Sequence, residues 1–383
     1  MALLLRRRNA VIALAATTCA PWVRAAQDTG VSAKEIVLGQ FAALTGPAAE
    51  LGKRMQVGIE TCLRAVNAAG GIHGRTLRLV SRDDGYEPER AAAAAKALIA
   101  EDRVFALVGS VGTPTNIAAV PVINEAGIPL IGPFTGAQAL REPFNRNLFH
   151  VRASYFDETE RIVQHLTTVG VTKIGVFHQN DSYGKAGLDG VTLALSQQNL
   201  KPVAQATVER NTVDVAAAVK TLVAARPDAV VQISAYKSCA AFIRAARKAG
   251  YGGTFYNVSF VGTQALADEL GKDGAGVVVS QVVPSPYNSA NAITREFAEA
   301  VRKAGAGNIN YSSMEGYLAA KVLAEGLRRA PGRGVNRDGL IAGLESIERQ
   351  QFGGFDVSFS PRNHVASKFV ELSMITGDGR IRV

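Results

Sequence analysis

The sequence predicts an α/β protein made of two Rossmann-like lobes, each a parallel sheet covered by helices. Three observations predict it. Short apolar runs alternate with amphipathic stretches of helical length from Glu35 onward. The alternation restarts after Ser154, giving a second unit of five strands. The chain, 383 residues long, exceeds one ordinary core, so two domains of roughly 150 residues each are expected.

The first strand is EIVLGQFA, followed by GKRMQVGIETCLRAVNAAG. That stretch puts Met55, Ile59, Cys62, Leu63 and Val66 on one face, the recurrence of a helix lying on a sheet, and stops at Gly70-Gly71. The strands TLRLVSRDD, FALVGS, IPLIGPF and LFHVRAS come next, with helices PERAAAAAKALIAE and TPTNIAAVPVINEAG between them. Strands alternating with helices of this length form parallel sheets with both faces covered. In the second unit, KIGVFHQ, PVAQATV, AVVQISA, TFYNVSF and GVVVSQVVP are strands, with helices near 157–169, 183–198, 213–225 and 237–249. The remainder, 285–383, holds three helical stretches, FDVSFS and KFVELSMI; it is too short for a third lobe and is expected to complete the first two. No low-complexity linker intervenes, so several short crossings are expected to join the lobes as a hinge.

An apolar content of 47% and a charged content of 20% describe a folded globular chain. The net charge of +9 owes four charges to Arg6, Arg7, Arg8 and Arg24, and no basic run of nucleic-acid-binding density follows. Residues 1–25 read as an export signal: three arginines, the apolar Ala10–Ala20, and Val23-Arg24-Ala25 before a cut. The apolar stretch is shorter than the roughly 20 residues a bilayer span needs. Ala16-Thr17-Thr18 lacks the aliphatic residue that would open a lipobox at Cys19. A periplasmic location is the expectation. Cys62 and Cys239 then remain, both on apolar helix stripes; they are expected as buried free thiols, with a disulfide as the alternative.

Bond-making chemistry finds no motif. Gly46–Lys53 is one residue too long for a phosphate loop, and Arg54 follows it; Gly274-Ala275-Gly276 lacks the third glycine of a dinucleotide fingerprint. Ser110 in VGSVG has Val108 where a nucleophile elbow needs glycine. His73, His150, His165, His178 and His364 are scattered without metal-ligand spacing, and Asp83-Asp84 reads as solvated or capping. No cofactor, metal or catalytic residue is predicted.

Binding remains. Parallel sheets hold ligands at the carboxyl ends of their strands, here Leu44–Leu51, Asp84–Pro88, Ser110–Thr115 and Phe134–Gln138. Thr113 before Pro114 reads as a helix N-cap, and the amides of Thr115 and Asn116 are expected to point outward, favouring an anion by about 0.3–1 kcal/mol. Phe134-Thr135-Gly136, on the neighbouring strand end, is expected to add unpaired backbone groups. The ligand group these imply is a carboxylate.

In this order, TGPAA, NAAGGIHG, VGSVGTPTN, AGIPLIGPFTG and QNDSYG resemble the leucine/isoleucine/valine-binding family of type I periplasmic solute-binding proteins, over essentially the whole mature chain. The resemblance implies two lobes joined by a three-strand hinge: 26–154 with 284–365, and 155–283 with 366–383. It implies that Thr113 holds the ligand carboxylate, that Phe134 and Gly136 offer backbone groups, and that Thr135 supplies a hydroxyl that Gly136 lacks. Tyr183 and Tyr236 fall on aromatics that cover the ligand, and Leu51 on the side-chain pocket. Ser259 stands where amino-acid-binding members carry an acid for the ammonium. Asp157 or another acid then takes that role, or the ligand has no ammonium. Tyr86 and Gly112 stand where the family has a cysteine pair. The implied function is the periplasmic substrate-binding component of an ABC importer, a monomer that closes over a branched-chain or other amino acid, a des-amino carboxylate or an amide, and docks on a membrane permease. A ligand sensor feeding a signalling partner and an exported hydrolase are the alternatives.

Overall fold

The computed structural model describes residues 29–307, 309–331 and 335–383; the export segment read at 1–25 lies outside the described residues. The first sheet is fully parallel in the order β2-β1-β3-β4-β5, formed by β1 (Glu35–Ala42), β2 (Thr76–Asp83), β3 (Ala106–Val108), β4 (Leu130–Ile131) and β5 (Leu148–Phe149). The helices α1 (Ala49–Ala68), α2 (Pro88–Ala100) and α3 (Thr113–Glu125) connect its strands. The apolar stripe read from the sequence is the buried face of α1: Met55, Ile59, Cys62, Leu63 and Val66 all lie in the core.

The second sheet runs β14-β13-β10-β9-β8-β6-β7. Its parallel strands are β6 (Ile174–Gln179), β7 (Ala204–Val208), β8 (Ala229–Ile233), β9 (Thr254–Asn257) and β10 (Val278–Gln281). Around them pack α4 (Tyr155–Thr168), α5 (Ser182–Ser196), α6 (Ala216–Ala225), α7 (Tyr236–Lys248) and α8 (Thr263–Leu270). The sequence reading did not include the eight-residue α8. It also did not include the antiparallel hairpin of β13 (Glu371–Ile375) and β14 (Ile381–Arg382), which extends an otherwise parallel sheet. Several expected strands shorten to two to five paired residues, because only the part of each apolar run beside a neighbour makes ladder bonds.

After β10 the chain returns to the first sheet. There α9 (Ala292–Ala304), α10 (Tyr311–Arg329) and α11 (Arg337–Glu345) add helices, and β11 (Gln350–Gln351) and β12 (Asp356–Val357) form a small ribbon. Helices α1 and α10 cross backbone to backbone: a Cβ on Gly58 would stand 1.9 Å from the Ser313 carbonyl oxygen, and one on Gly316 would stand 2.2 Å from that of Met55. The two glycines are what let a helix from the last quarter of the chain seal the first sheet.

The chain therefore passes between the sheets after β5, after β10 and after β12. The first and third passages run side by side: the His150 amide donates to the His364 carbonyl and the Ala366 amide to the His150 carbonyl, both at 2.8 Å. In each sheet strand order reverses beside the first strand of its unit, between β1 and β3 and between β6 and β8. Those two switch points face each other. Gln179 Nε2, ending β6, donates to the Tyr86 hydroxyl at 3.2 Å, and Arg210 and Asn211 reach Glu87 across the cleft at 2.8 and 2.7 Å.

Candidate functional site

The start of α3 is made differently from the sequence reading. Its N-cap is Gly112, at φ 102, and Thr113 is the first helical residue, with no side-chain capping bond. Glycine takes that backbone conformation without the Cβ penalty a threonine would meet, so the cap moves back one position. Thr113 is thereby released from capping, and its Oγ1 lies 2.6 Å from Thr135 Oγ1. The Asn116 amide does not point outward either; it donates to the Gly112 carbonyl at 3.2 Å.

Two further expectations are corrected on the neighbouring strand ends. The backbone of Phe134 is paired, its amide to the Ser110 carbonyl at 2.7 Å and its carbonyl from the Gly112 amide at 3.2 Å, because the β3–β4 ladder continues one bridge beyond the strands. Ser110 turns inward, donating to Asn116 Oδ1 at 2.5 Å, while Asn116 Nδ2 donates to the Gly112 carbonyl at 2.6 Å. Its hydroxyl braces the first turn of α3 from within.

Facing the threonine pair is Tyr155, the first residue of α4. Its amide donates to the Gly136 carbonyl at 2.7 Å, and a Cβ on Gly136 would come within 2.6 Å of the tyrosine ring and amide. This is why position 136 carries no hydroxyl: the tyrosine occupies the space. The Tyr155 hydroxyl is buried without a hydrogen bond of good geometry. Burial raises its pKa, against the pull of Arg152 and the nearby hydroxyls of Thr135 and Thr113. Tyr183, from the first turn of α5, is buried too and its hydroxyl has no partner. Its ring centroid is 5.3 Å from that of Tyr155 and 4.7 Å from that of Phe260. Phe260 in turn lies 5.3 Å from Phe134 and 5.8 Å from Tyr86. Five rings from both lobes thus form a connected run that reaches the hydroxyl pair through Tyr155.

Behind them lies a buried charge cluster. Arg152 Nη2 is 2.6 Å from Glu158 Oε1, and its Nη1 is 3.3 Å from Glu315 Oε1. The Ser259 amide donates to Glu158 Oε2 at 2.7 Å, Ser280 Oγ donates to the same oxygen at 2.6 Å, and Ser259 Oγ bonds Glu158 Oε1 at 3.1 Å. Arg152 also donates to Ser259 Oγ. Burial works against the Arg152 charge, yet Glu315 and Glu158 hold its pKa above the ordinary value. Burial pushes the Glu315 carboxyl up to about 7, with Glu158 adding to the rise and Arg152 opposing it. The Arg152 guanidinium also sits 5.5 Å from the centroid of Phe134 and 5.6 Å from that of Tyr155, within cation–π range.

The site residues read from the sequence thus divide. Thr113, Thr135, Phe134, Gly136, Tyr183 and Ser259 come together where the lobes meet. Leu51 is buried against the 259–262 turn, where a side chain on Gly262 would meet its Cδ2. Tyr236 stands at the rim, lining a surface pocket with Glu50, Arg54 and Asp268. Asp157 does not replace the acid missing at Ser259; its carboxylate closes a capping box with Ser154 at 2.5 and 2.8 Å. The acid beside Ser259 is Glu158, one residue later. Arg152, Tyr155, Glu158 and Phe260 were missed. A surface groove of about 480 Å³, lined among others by Arg141, Phe144, His364 and Lys368, takes in Ser154 and Asp157 but none of the other residues named here. Cys62 and Cys239 are both buried and free; burial pushes the Cys62 thiol up to about 12.

Two α/β lobes meeting switch point to switch point, with hydroxyls and rings from both enclosed between them, define a bilobal binding protein. A family model described as periplasmic binding protein matches residues 35–379. An amino acid binding protein of Pseudomonas aeruginosa is 28% identical over 240 residues, so that the match spans 62% of this chain and 64% of that protein. Leu/Ile/Val-binding protein homolog 7 of Brucella abortus is 27% identical over 317 residues, 78% of each chain. The crystal structure of a possible leucine/isoleucine/valine-binding protein from Rhodopirellula baltica superposes with a TM-score of 0.84 at 35% identity, covering 91% of this chain and 96% of that one. The chain belongs to the periplasmic binding protein family, in its type I, leucine/isoleucine/valine-binding branch. These are binding proteins, not enzymes, and a periplasmic location goes with the family.

Proposed function

We propose that this protein captures a small carboxylate-bearing solute between its lobes and presents it to the permease of an ABC importer. The observation that carries the reading is the Thr113–Thr135 hydroxyl pair at 2.6 Å, at the switch point of the first sheet, with the unpartnered Tyr155 hydroxyl facing it. Hydroxyls held in place and short of partners are ready donors to a carboxylate, and the first-turn amide of Thr115 adds the favourable end of a helix. Lobe boundaries at 26–154 with 284–365 and 155–283 with 366–383 go with this reading, and the place of β13 and β14 in the second sheet supports the third passage. Closure is the working step: a solute that touches both lobes binds the closed state better and shifts the population toward it.

The test is a thermal-shift and calorimetric panel of amino acids, des-amino carboxylates and amides. A ligand at 100 times its Kd stabilises the chain by about 2.7 kcal/mol. Thr113→Ala is expected to weaken carboxylate binding by about tenfold, the loss of one hydrogen bond to a charged group, while leaving the unliganded melting temperature nearly unchanged. Unchanged affinity in that variant overturns the anchoring role.

A further inference from the structure

The side chains enclosed between the lobes fall into two sets with opposite readiness for a ligand. The uncharged set is loosely held: the Thr113 and Thr135 hydroxyls contact each other, Thr135 Oγ1 also accepts from the Ala137 amide at 3.2 Å, and the buried Tyr155 and Tyr183 hydroxyls have no hydrogen bond of good geometry. The charged set is saturated. Glu158 Oε1 takes Arg152 Nη2 and Ser259 Oγ, and Oε2 takes the Ser259 amide and Ser280 Oγ, two donors for each oxygen. Its charge is matched by the guanidinium beside it, and the carboxylate is fully buried.

Most of the other acids near the cleft are also engaged. Asp157 caps α4, and Asp181 accepts from the Tyr183 amide, Gln179 and Arg210. Glu87 holds Arg210 and Asn211. Glu315 faces Arg152. Asp84 Oδ2 alone among these lacks a donor, but the charged neighbours of Asp84 are Asp83, Arg90 and Glu87 of its own loop and helix start. An ammonium group brought among the five rings would lose its water and find no free carboxylate at the hydroxyl pair among the described residues.

We propose that the solute is an aromatic carboxylate without an ammonium group. The proposal rests on the capture reading above and names its solute class. Carboxylate oxygens take the hydroxyls of Thr113, Thr135 and Tyr155, while the ring of the guest enters the run of Phe134, Phe260, Tyr183 and Tyr86. Those rings stand at 4.7–5.8 Å centroid spacing in tilted and edge-on arrangements, the pairings aromatic rings prefer, and a guest ring would join them in the same way. Arg152 lies over Phe134, one of these rings, and over Tyr155, whose hydroxyl faces the threonines.

Two matched ligand pairs test this by calorimetry on the purified protein: phenylalanine against 3-phenylpropanoate, and leucine against 4-methylpentanoate. The expected result is that 3-phenylpropanoate binds at least about tenfold tighter than phenylalanine and than 4-methylpentanoate. Tighter binding of either amino acid than its des-amino partner overturns the proposal but leaves carboxylate capture standing. Equal affinity for 3-phenylpropanoate and 4-methylpentanoate removes the aromatic part. If none of the four binds, the capture of carboxylates falls first and this proposal with it. Two variants separate the contributions. Tyr155→Phe is expected to weaken 3-phenylpropanoate while keeping the fold, and unchanged affinity would remove the hydroxyl from the site. Asp84→Asn is expected to leave the ranking as it is; a loss of amino-acid binding in that variant would identify Asp84 as an ammonium partner and overturn the proposal.

Discussion

Arg152 Nη2 lies 2.6 Å from Glu158 Oε1, and neither side chain reaches solvent. Arg152 is on the first passage between the lobes, Glu158 is in the first turn of α4, and both bond Ser259, which follows β9. The pair therefore ties the hinge to the inner wall of the second lobe. Removing one partner leaves an uncompensated buried charge, and Arg152→Met or Glu158→Gln is expected to cost about 3–5 kcal/mol in urea unfolding. Replacing both by apolar residues is expected to cost less than the two single changes added together, because no charge is then stranded. A loss under about 1 kcal/mol in either single variant would mean the pair does not brace the hinge.

Glu315 gives the same cluster a pH dependence. Its carboxyl, raised from 4.5 to about 7 by burial, keeps its proton in the folded chain over a window where the unfolded chain has lost it. The stability it confers is complete below 4.5, declines as pH rises toward 7, and stays lost above, a change of up to about 3 kcal/mol. Glu315→Gln does not titrate. Its stability relative to the native chain is expected to rise between pH 4.5 and pH 8, read from denaturant midpoints at each pH. A constant difference across that range would show that Glu315 ionises normally.

These two residues mark where the sequence stopped being legible. Periodicity locates the elements, so α1, β1 and the two five-strand units were readable, and Thr113, Phe134 and Thr135 followed from their place at strand ends. Glu158 and Glu315 were not, since each sits on a helix whose spacing shows only which face is buried; that the buried face carries an acid makes sense only once Arg152 is beside it. Ser259 stands 107 positions from Arg152 along the chain, and no local pattern joins them. The shift of the helix cap from Thr113 to Gly112 was within reach: a glycine just before a Thr-Pro pair is itself a cap candidate. The β13–β14 hairpin had a signal too, in TGDGR between two short apolar runs.

Gly136 owes its identity to Tyr155. With only 2.6 Å between an added Cβ and the tyrosine amide and ring, Gly136→Ala has to push the start of α4 away from the strand end. Overpacking of this kind is expected to cost about 1–3 kcal/mol. It is also expected to weaken ligand binding more than Thr135→Ala does, because the Tyr155 hydroxyl and ring move together. The measurements are a thermal melt and a calorimetric titration of each variant. A Gly136→Ala protein with native affinity would place Tyr155 outside the site.

Polar pairs at both rims join the two lobes across the cleft. On one rim Glu87 accepts from Arg210 at 2.8 Å and Asn211 at 2.7 Å, and on the other Arg54 reaches Asp268 at 2.8 Å. These pairs join the lobes and must break on opening, yet they are partly exposed, so each is worth no more than about 1 kcal/mol. Their effect belongs to the closing equilibrium rather than to folding. Glu87→Gln is therefore expected to weaken solute binding about two- to fivefold with little change in the unliganded melting temperature. Small-angle scattering of the unliganded variant should give a larger radius of gyration than the native chain. Because the pair is reached by solvent, raising the salt should shrink the difference in affinity between the two proteins. A variant that loses melting temperature instead, or that binds as tightly as the native chain at low salt, would show that Glu87 stabilises its own lobe and does not latch the two together.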